Sequence, residues 1–530
     1  RLHREVARWL EATSGERVLD VAELVAHHNL RALELEPPED DQRLNQVYRF
    51  VMMAGERVQA LDAERGTFFY GKAAELARTP RDRGRALLAF GQITTGHIDE
   101  AVQALEDAAA AFGEAGEPLY EADAIATRAG LEWYRGDADA ADRYDELALT
   151  MVEGLEPSEI VARVIAGRAA HLQLRGRSEE GLEMADRAIA VAQQVGSTEN
   201  YVRGLSARAN ALLQLGDPSA EQDIRETLRI SLDRNDARAA LVAYNNLATN
   251  VVVAGRLAEG KELIEEAIEY GDQRGYALAA DWSRNTRCEA LFPLGEWGET
   301  LAVARHLIEA DQARGGSQIS TFATAWQAIV LFFRGSTQEA RQLWVDVLEQ
   351  SRRGKDAQGL FPSLALGAVI WEATGEIAEA RQMAEELGEI SIDNPVFLAQ
   401  HLMTVAESMV SMGMEDQVEE LARIARPNSE WMVAQVGGAR ARVAEARGDY
   451  AEALALYQGV VEVGVPLQQR YWVAYARVGA ARCLLALGRE EEASTELDLA
   501  RADAEYMGAV RLLDEIREIA EPGREAVEGG

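Results

Sequence analysis

The sequence predicts an all-α fold, a solenoid of about twelve stacked helical hairpins with a period near 40 residues, and three observations carry that expectation. The first is a glycine that recurs at Gly96, Gly136, Gly176, Gly216, Gly255, Gly295, Gly335, Gly375, Gly413, Gly448 and Gly488, at intervals of 40, 40, 40, 39, 40, 40, 40, 38, 35 and 40 residues. The second is a small residue seven positions before each of them, Ala89, Ala129, Ala169, Ala209, Ala248, Cys288, Ala328, Ala368, Ala406, Ala441 and Ala481. Another small residue stands five positions after most of them, with Glu221 and Val418 as exceptions. The third is that leucine and alanine recur at three- and four-residue spacing, with no sustained period-two alternation. Only 12 prolines interrupt 530 residues rich in good helix formers.

Taken in chain order, residues 1–41 read as a helical N-terminal segment and 42–80 as an early, less regular hairpin. From Gly96 onward each unit has the same logic. Glycine takes the positive φ that closes a first helix, the next residue opens a second, and the two small residues let the antiparallel backbones cross closely. A hairpin of this kind exposes an apolar face that only the next hairpin covers. The short 35-residue interval before Gly448 contains Pro427 and Asn428, so the array is divided there into 42–426 and 427–530, the latter ending in a capping helix. Stacked at 8 to 10 Å per helix, such an array is expected to extend on the order of 100 Å.

Composition narrows the function classes. Lys plus Arg is 54 and Asp plus Glu is 89, a net charge of −35 spread along the whole chain. Such a surface repels phosphate backbones and anionic lipid, so neither nucleic acid nor membrane is an expected partner. The longest apolar run, Ala328 to Phe333, is far too short to cross a bilayer. Cys288 and Cys483 are too far apart in sequence for a disulfide framework or a metal knuckle, and the expected compartment is the reducing cytosol. Three lysines, Lys72, Lys261 and Lys355, accompany a large excess of arginine, which reads as a genomic base-composition bias.

Two resemblances add to this. The pattern in ARVAEARGDYAEALALY, with Ala441, Gly448, Ala453 and Tyr457, resembles the tetratricopeptide repeat in a longer form, over residues 42 to about 510. It implies a right-handed superhelix that binds protein or peptide; the weak large-aromatic positions and the scarcity of unit-closing prolines depart from the family pattern. The opening LHREVARWLEATSGER and AELVAHHNLRALEL resemble the stretch that follows the ATPase and winged-helix modules of large bacterial signal-transduction ATPases. Among these the chain is most similar to proteins that join a nucleotide cyclase, an AAA-like ATPase and a tetratricopeptide array; NNLA at Asn245 and LGEWGETL at Leu294 are similar too. This resemblance implies a sensor or docking arm that controls ATPase and output domains, cyclase or transcription regulator, elsewhere in the same parent chain. The start at Arg1 without methionine reads as a piece of that longer protein.

Candidate sites follow from the register. GTFFYGKA, with Gly66, Gly71 and Lys72, approaches a phosphate-binding loop but has Ala73 in place of Ser or Thr and no preceding strand, so it reads as helix. Asp137, Asp139 and Asp142 read as a solvated helix start. The seven histidines never pair at metal-ligand spacing, and His27 and His28 read as packed or capping groups. Cys288 reads as packing, and no nucleophile has an evident base. No metal, cofactor or catalytic residue is expected. The inner face is another matter. Positions thirteen before the glycines hold Arg163, Arg203, Val242, Trp282 and Phe322; ten before hold Ser206, Asn245, Asn285 and Ala325; six before hold Asn210, Thr249 and Glu289. Core positions rarely combine Arg, Asn and Trp, because each buried polar group needs a partner. Arg163, Arg203, Asn210, Asn245, Trp282, Asn285 and Phe322 are therefore the candidate groove for a protein, a peptide or a small-molecule effector. The competing reading is that Asn245 and Asn246 merely tie neighbouring helices. A self-associating scaffold and a nucleotide-binding or hydrolytic unit are the alternative functions.

Overall fold

A peptide chain that must reverse direction right after a helix needs a residue tolerant of positive φ, and this requirement sets the architecture. The computed structural model describes residues 1–36, 40–59, 61–93 and 97–520. At the start, α1 (Leu2–Ser14) leads through a 3₁₀ turn (Gly15–Val21) into α2 (Ala22–Leu35). Hairpins follow: α3 (Asp41–Val58) with α4 (Ala63–Leu76), α5 (Pro80–Ile93) with α6 (Ile98–Ala115), α7 (Pro118–Tyr134) with α8 (Ala138–Val152), and α9 (Glu159–Leu174) with α10 (Ser178–Val195). Next come α11 (Thr198–Gln214) with α12 (Ala220–Asp233), α13 (Ala237–Val253) with α14 (Leu257–Asp272), α15 (Ala277–Leu294) with α16 (Trp297–Ala313), and α17 (Gln318–Phe333) with α18 (Thr337–Gly354). The series closes with α19 (Ala357–Ala373) and α20 (Ile377–Ile390), α21 (Pro395–Ser411) and α22 (Glu415–Ile424), α23 (Glu430–Arg447) and α24 (Tyr450–Gly464), α25 (Arg470–Ala486) and α26 (Glu490–Met507), capped by α27 (Val510–Ala520). No strand occurs among the described residues, and none of their helices is long and apolar enough to cross a membrane.

The hinge glycines from Gly136 to Gly488 all lie at φ between 73° and 88°. At Gly176 the local wiring is complete: Gly176 N–H donates to Gln173 O at 3.0 Å and Arg177 N–H to Leu172 O at 2.9 Å, which satisfies carbonyls the helix end leaves bare. The hinge read at Gly96 lies outside the described residues, as do residues 521–530 of the C-terminal segment. The small residues from Ala129 to Ala481 are fully buried, whereas Ala89 is half-buried. The crossing they allow is visible in the third unit, where a Cβ added to Gly181 would sit 3.2 Å from the carbonyl oxygen of Ala169. In the unit of Gly295 the same two positions are Cys288 and Thr300, and Cys288 Sγ lies 3.8 Å from Thr300 O. Burial pushes that thiol up to about 12, as packing rather than reactivity requires.

The stacked apolar faces merge. One cluster of buried side chains extends from Phe292 to Ile516, on both sides of Pro427, and holds the fully buried Trp297, Trp344, Phe332 and Phe361. Each such side chain contributes about 2 to 3 kcal/mol relative to exposure. The 35-residue interval has a simple cause, for α22 is only 10 residues long.

The array is not a straight stack: its coils wind back onto one another. Tyr276 Oη donates to Gln59 O at 3.0 Å, and Ala63 N–H to Arg274 O at 3.0 Å. Arg238 Nη1 donates to Gln92 O at 2.6 Å, Gln318 Nε2 to Trp133 O, Arg470 Nε to Leu294 O at 3.1 Å, and Arg334 to Met507 O at 3.4 Å. Almost every acceptor is a carbonyl at the C-terminal end of a helix, where the last turn lacks intrahelical donors and the dipole favours cations. Hinge glycines sit in these seams as well. A Cβ on Gly295 would lie 2.7 Å from Met507 Cγ and 2.8 Å from Arg470 Cδ, while one on Gly488 would meet nothing within 4 Å.

That contrast yields a stability test. Gly488→Ala is expected to cost about 1 kcal/mol, the strain of a left-handed alanine. Gly295→Ala should lose at least about 1 kcal/mol more because it also pries the seam apart. Urea unfolding followed by circular dichroism of the two variants checks the order, and equal losses would count against the seam.

Candidate functional site

The first helices of consecutive hairpins face a common interior, so side chains far apart in sequence meet there. On α7, Trp133 stacks on Trp282 of α15, with ring centroids 5.7 Å apart and planes inclined by 20°. Tyr134 stands 6.2 Å from the same indole, and Phe322 of α17 meets it edge-on at 5.4 Å. The amide of Gln318, the first residue of α17, donates to Trp133 O and closes this turn of the coil. The aromatic group therefore bridges α7, α15 and α17 across the interior.

Beside it lies a charged group. Asp123 of α7 is buried, and Arg163 of α9 donates to its Oδ2 at 2.7 Å. Arg203 of α11 donates to Glu199 Oε1 on its own helix at 3.1 Å. Burial pushes the Asp123 carboxyl up, opposed by Arg163 and Arg203. Enclosure lowers the Arg203 guanidinium, and the neighbouring positive charge of Arg238 on α13 lowers it further. The group thus pairs two arginines with two carboxylates, and the exposed Arg238 adds a third positive charge beside it. Several buried atoms here have no hydrogen-bond partner among the described residues: Asp123 Oδ1, Arg163 Nε, Arg203 Nε, Asn285 Oδ1 and the indole nitrogen of Trp282. Native interiors leave few polar atoms in that state, so each needs water or a bound group.

The seven register residues fall into different roles. Arg163, Arg203, Trp282 and Phe322 belong to the two groups just described. Asn285 is part-buried on α15 with its side-chain oxygen unpartnered, and Asn210 is part-buried on α11. Asn245 does what the competing reading expects, because its Oδ1 accepts from Thr286 Oγ1 at 3.1 Å and ties α13 to α15. Three interior residues were not found from the register. Asp123 stands thirteen before Gly136, so extending the same count one unit back reaches it. Trp133 and Tyr134 carried no such signal; they occupy the last turn of α7 and meet Trp282 only because the coil closes.

The other sequence candidates lie elsewhere. Gly66, Gly71 and Lys72 are inside α4, with Lys72 Nζ 2.8 Å from Glu75, so no phosphate-cradling loop exists there. Asp137 caps α8 through its side chain, accepting from Ala140 N–H at 3.0 Å. His28 Nδ1 lies 2.8 Å from His3 Nδ1, a packed pair between α1 and α2. Among the described residues no group of three or more His, Cys, Asp or Glu could hold a metal ion.

Two interior carboxyls are displaced far from their ordinary range. Burial pushes Glu289 on α15 up to about 7, with no ion partner among the described residues to oppose it. Burial likewise raises Asp356, the N-cap of α19, to about 7 against its hydrogen bonds from Gln358 N–H and the Trp133 indole. A raised carboxyl stabilises the fold fully only below its unfolded value near 4.5, and that contribution drains away as pH climbs to about 7. Glu289→Gln is therefore expected to raise stability by on the order of 1 to 3 kcal/mol at pH 8 and to change little at pH 4. Melting curves of parent and variant across that range measure the difference, and a parallel shift at every pH would contradict the assignment.

No family model and no curated protein matches the chain. Among solved structures, Scc4 in its complex with Scc2n superposes with a TM-score of 0.50 at 10% identity, covering 92% of this chain and 94% of that one. The APC/C hetero-tetramer Cut9–Hcn1 gives a TM-score of 0.48 at 12% identity, over 94% of this chain and 96% of that one. A Rap protein complexed with Competence and Sporulation Factor gives 0.39 at 13% identity, over 73% and 95%. At such identities the likeness is one of fold: the chain is an all-α solenoid of tetratricopeptide-like helical hairpins.

Proposed function

We propose that the chain is a noncatalytic docking scaffold whose interior receives an extended protein segment or peptide bearing a carboxylate. The observation that carries this reading is the set of unpartnered buried atoms on α7, α9, α11 and α15 around Arg163 and Arg203. A peptide backbone supplies donors and acceptors at a spacing that consecutive hairpins match, a carboxylate pairs with the arginines, and the Trp133–Trp282–Phe322 wall takes an apolar side chain. The seven register residues Arg163, Arg203, Asn210, Asn245, Trp282, Asn285 and Phe322 thereby divide into anchors and supports, with Asn245 acting through Thr286.

The setting follows from residues 1–39, whose resemblance to signal-transduction ATPases supports a sensing arm of a cytosolic regulator. Because the coils touch, an occupant that pushes α7 from α15 also disturbs the seam at Trp133 O, and the change in curvature would reach the ATPase and output domains.

Selection from a displayed peptide library against the purified chain tests the binding half. Enriched sequences should carry an acidic or free C-terminal carboxylate. Trp282→Ala and Arg203→Ala should each weaken their binding by about tenfold or more, whereas Asn210→Ala should matter less. If no sequence is enriched, or if both anchor variants bind as tightly as the parent chain, the interior is not a docking site.

A further inference from the structure

At the N-terminal end, α1 and α3 diverge to leave a cleft of about 530 Å³. Its walls carry four arginines, Arg4 and Arg8 from α1 and Arg43 and Arg49 from α3. Elsewhere in this acidic chain arginines mostly face carboxylates, as Arg225 and Arg256 both reach Glu221 and Glu259. Here the compensation among the described residues is partial, with Glu11 and Asp40 in the lining and Glu36 on Arg4. Arg43 donates only to the neutral oxygens of Asn29, at 2.8 Å, and Gln46, at 3.4 Å. The two carboxylates of the cleft form no ion pair with its arginines among the described residues: Glu11 accepts from the Gln46 amide at 2.9 Å and Asp40 from Arg43 N–H, as its cap, at 2.8 Å. Arg4 pairs with Glu36 across the rim at 3.1 Å, while Arg8 and Arg49 have no ion pair among the described residues. Burial lowers the Arg43 guanidinium and the like charges of Arg4 and Arg8 lower it further, against the opposing pull of Glu11 and Asp40.

We propose that this cleft binds a small, multiply charged, phosphate-bearing anion of about nucleotide size through Arg8, Arg43 and Arg49. Guanidinium forks match phosphate oxygens in pairs, and the volume lies within the ordinary range of small-molecule sites. Phe50 and Met53 at the base of the cleft, with the Asn45 amide beside them, offer a surface for an organic moiety. The net charge of −35 decides against an acidic protein segment, because such a chain would meet a repelling surface on leaving the cleft, whereas a small anion lies wholly within it. The site is separate from the interior of the coil and does not depend on the docking function.

Calorimetric titration of the chain with inorganic pyrophosphate, magnesium-free ATP and a hexaglutamate peptide tests this. Pyrophosphate or ATP should bind saturably, and Arg8→Ala/Arg49→Ala should weaken that binding by at least about tenfold with the melting temperature of the unliganded chain unchanged. Arg17→Ala, a paired surface arginine outside the cleft, should bind as the parent does. Tighter binding of ATP than of pyrophosphate places the organic part over Phe50 and Met53; equal binding makes the phosphates alone the ligand. No saturable heat with either phosphate probe, undiminished binding by the double variant, or equal binding of hexaglutamate overturns the proposal.

Discussion

Close approach of two antiparallel helices at a pair of residues without bulk is the constraint from which the rest of this structure follows. Where Gly181 lies against the Ala169 carbonyl, or Cys288 against that of Thr300, any larger pair would hold the backbones apart. Each hairpin would then tilt differently on its neighbour. Repeating the same crossing about every forty residues repeats the same small rotation, and a constant rotation per unit makes a coil. The left-handed glycine belongs to the same device, since it fixes where the first helix stops relative to the crossing seven residues earlier.

Coiling has a consequence that stacking alone would not produce. Once successive coils touch, the bare carbonyls at helix C-termini become the acceptors of the next coil, and the donors that reach them are mostly arginine, glutamine and tyrosine. Arginine suits the task because one guanidinium serves two partners, as Arg470 does with Leu294 O and Asp503. Arg482 likewise joins Glu445 on α23 to Glu515 on α27. The excess of arginine over lysine, whatever its genomic origin, is put to structural use in these seams.

Closure also changes what the inner face is. An open groove would present Trp282 and Arg203 to bulk water; in the coil they confront α7 and each other's neighbours at short range. Enclosure shifts the ionisable groups there, Glu289 and Asp356 upward and Arg203 downward, while leaving polar atoms without hydrogen-bond partners among the described residues. The same closure separates the interior from the arginine-lined cleft at the N-terminal end, which is built by α1 and α3 before the regular repeat begins.

The helices, hinges and crossing residues were legible in the sequence because each depends on contacts within forty residues, where spacing alone reports on geometry. The register even contained Asp123, one unit before Arg163 in the same series. It could not contain Trp133, whose partner Trp282 lies on a helix four hairpins later, nor the fact that Asn245 serves Thr286 rather than the interior. By itself the sequence determined the all-α hairpin array and the positions of its turns, since local backbone sterics and helical period set both. Only the tertiary structure decided that the coils touch and that the inner face is enclosed, because the rotation between hairpins is a small angle summed over many units and no single spacing records it.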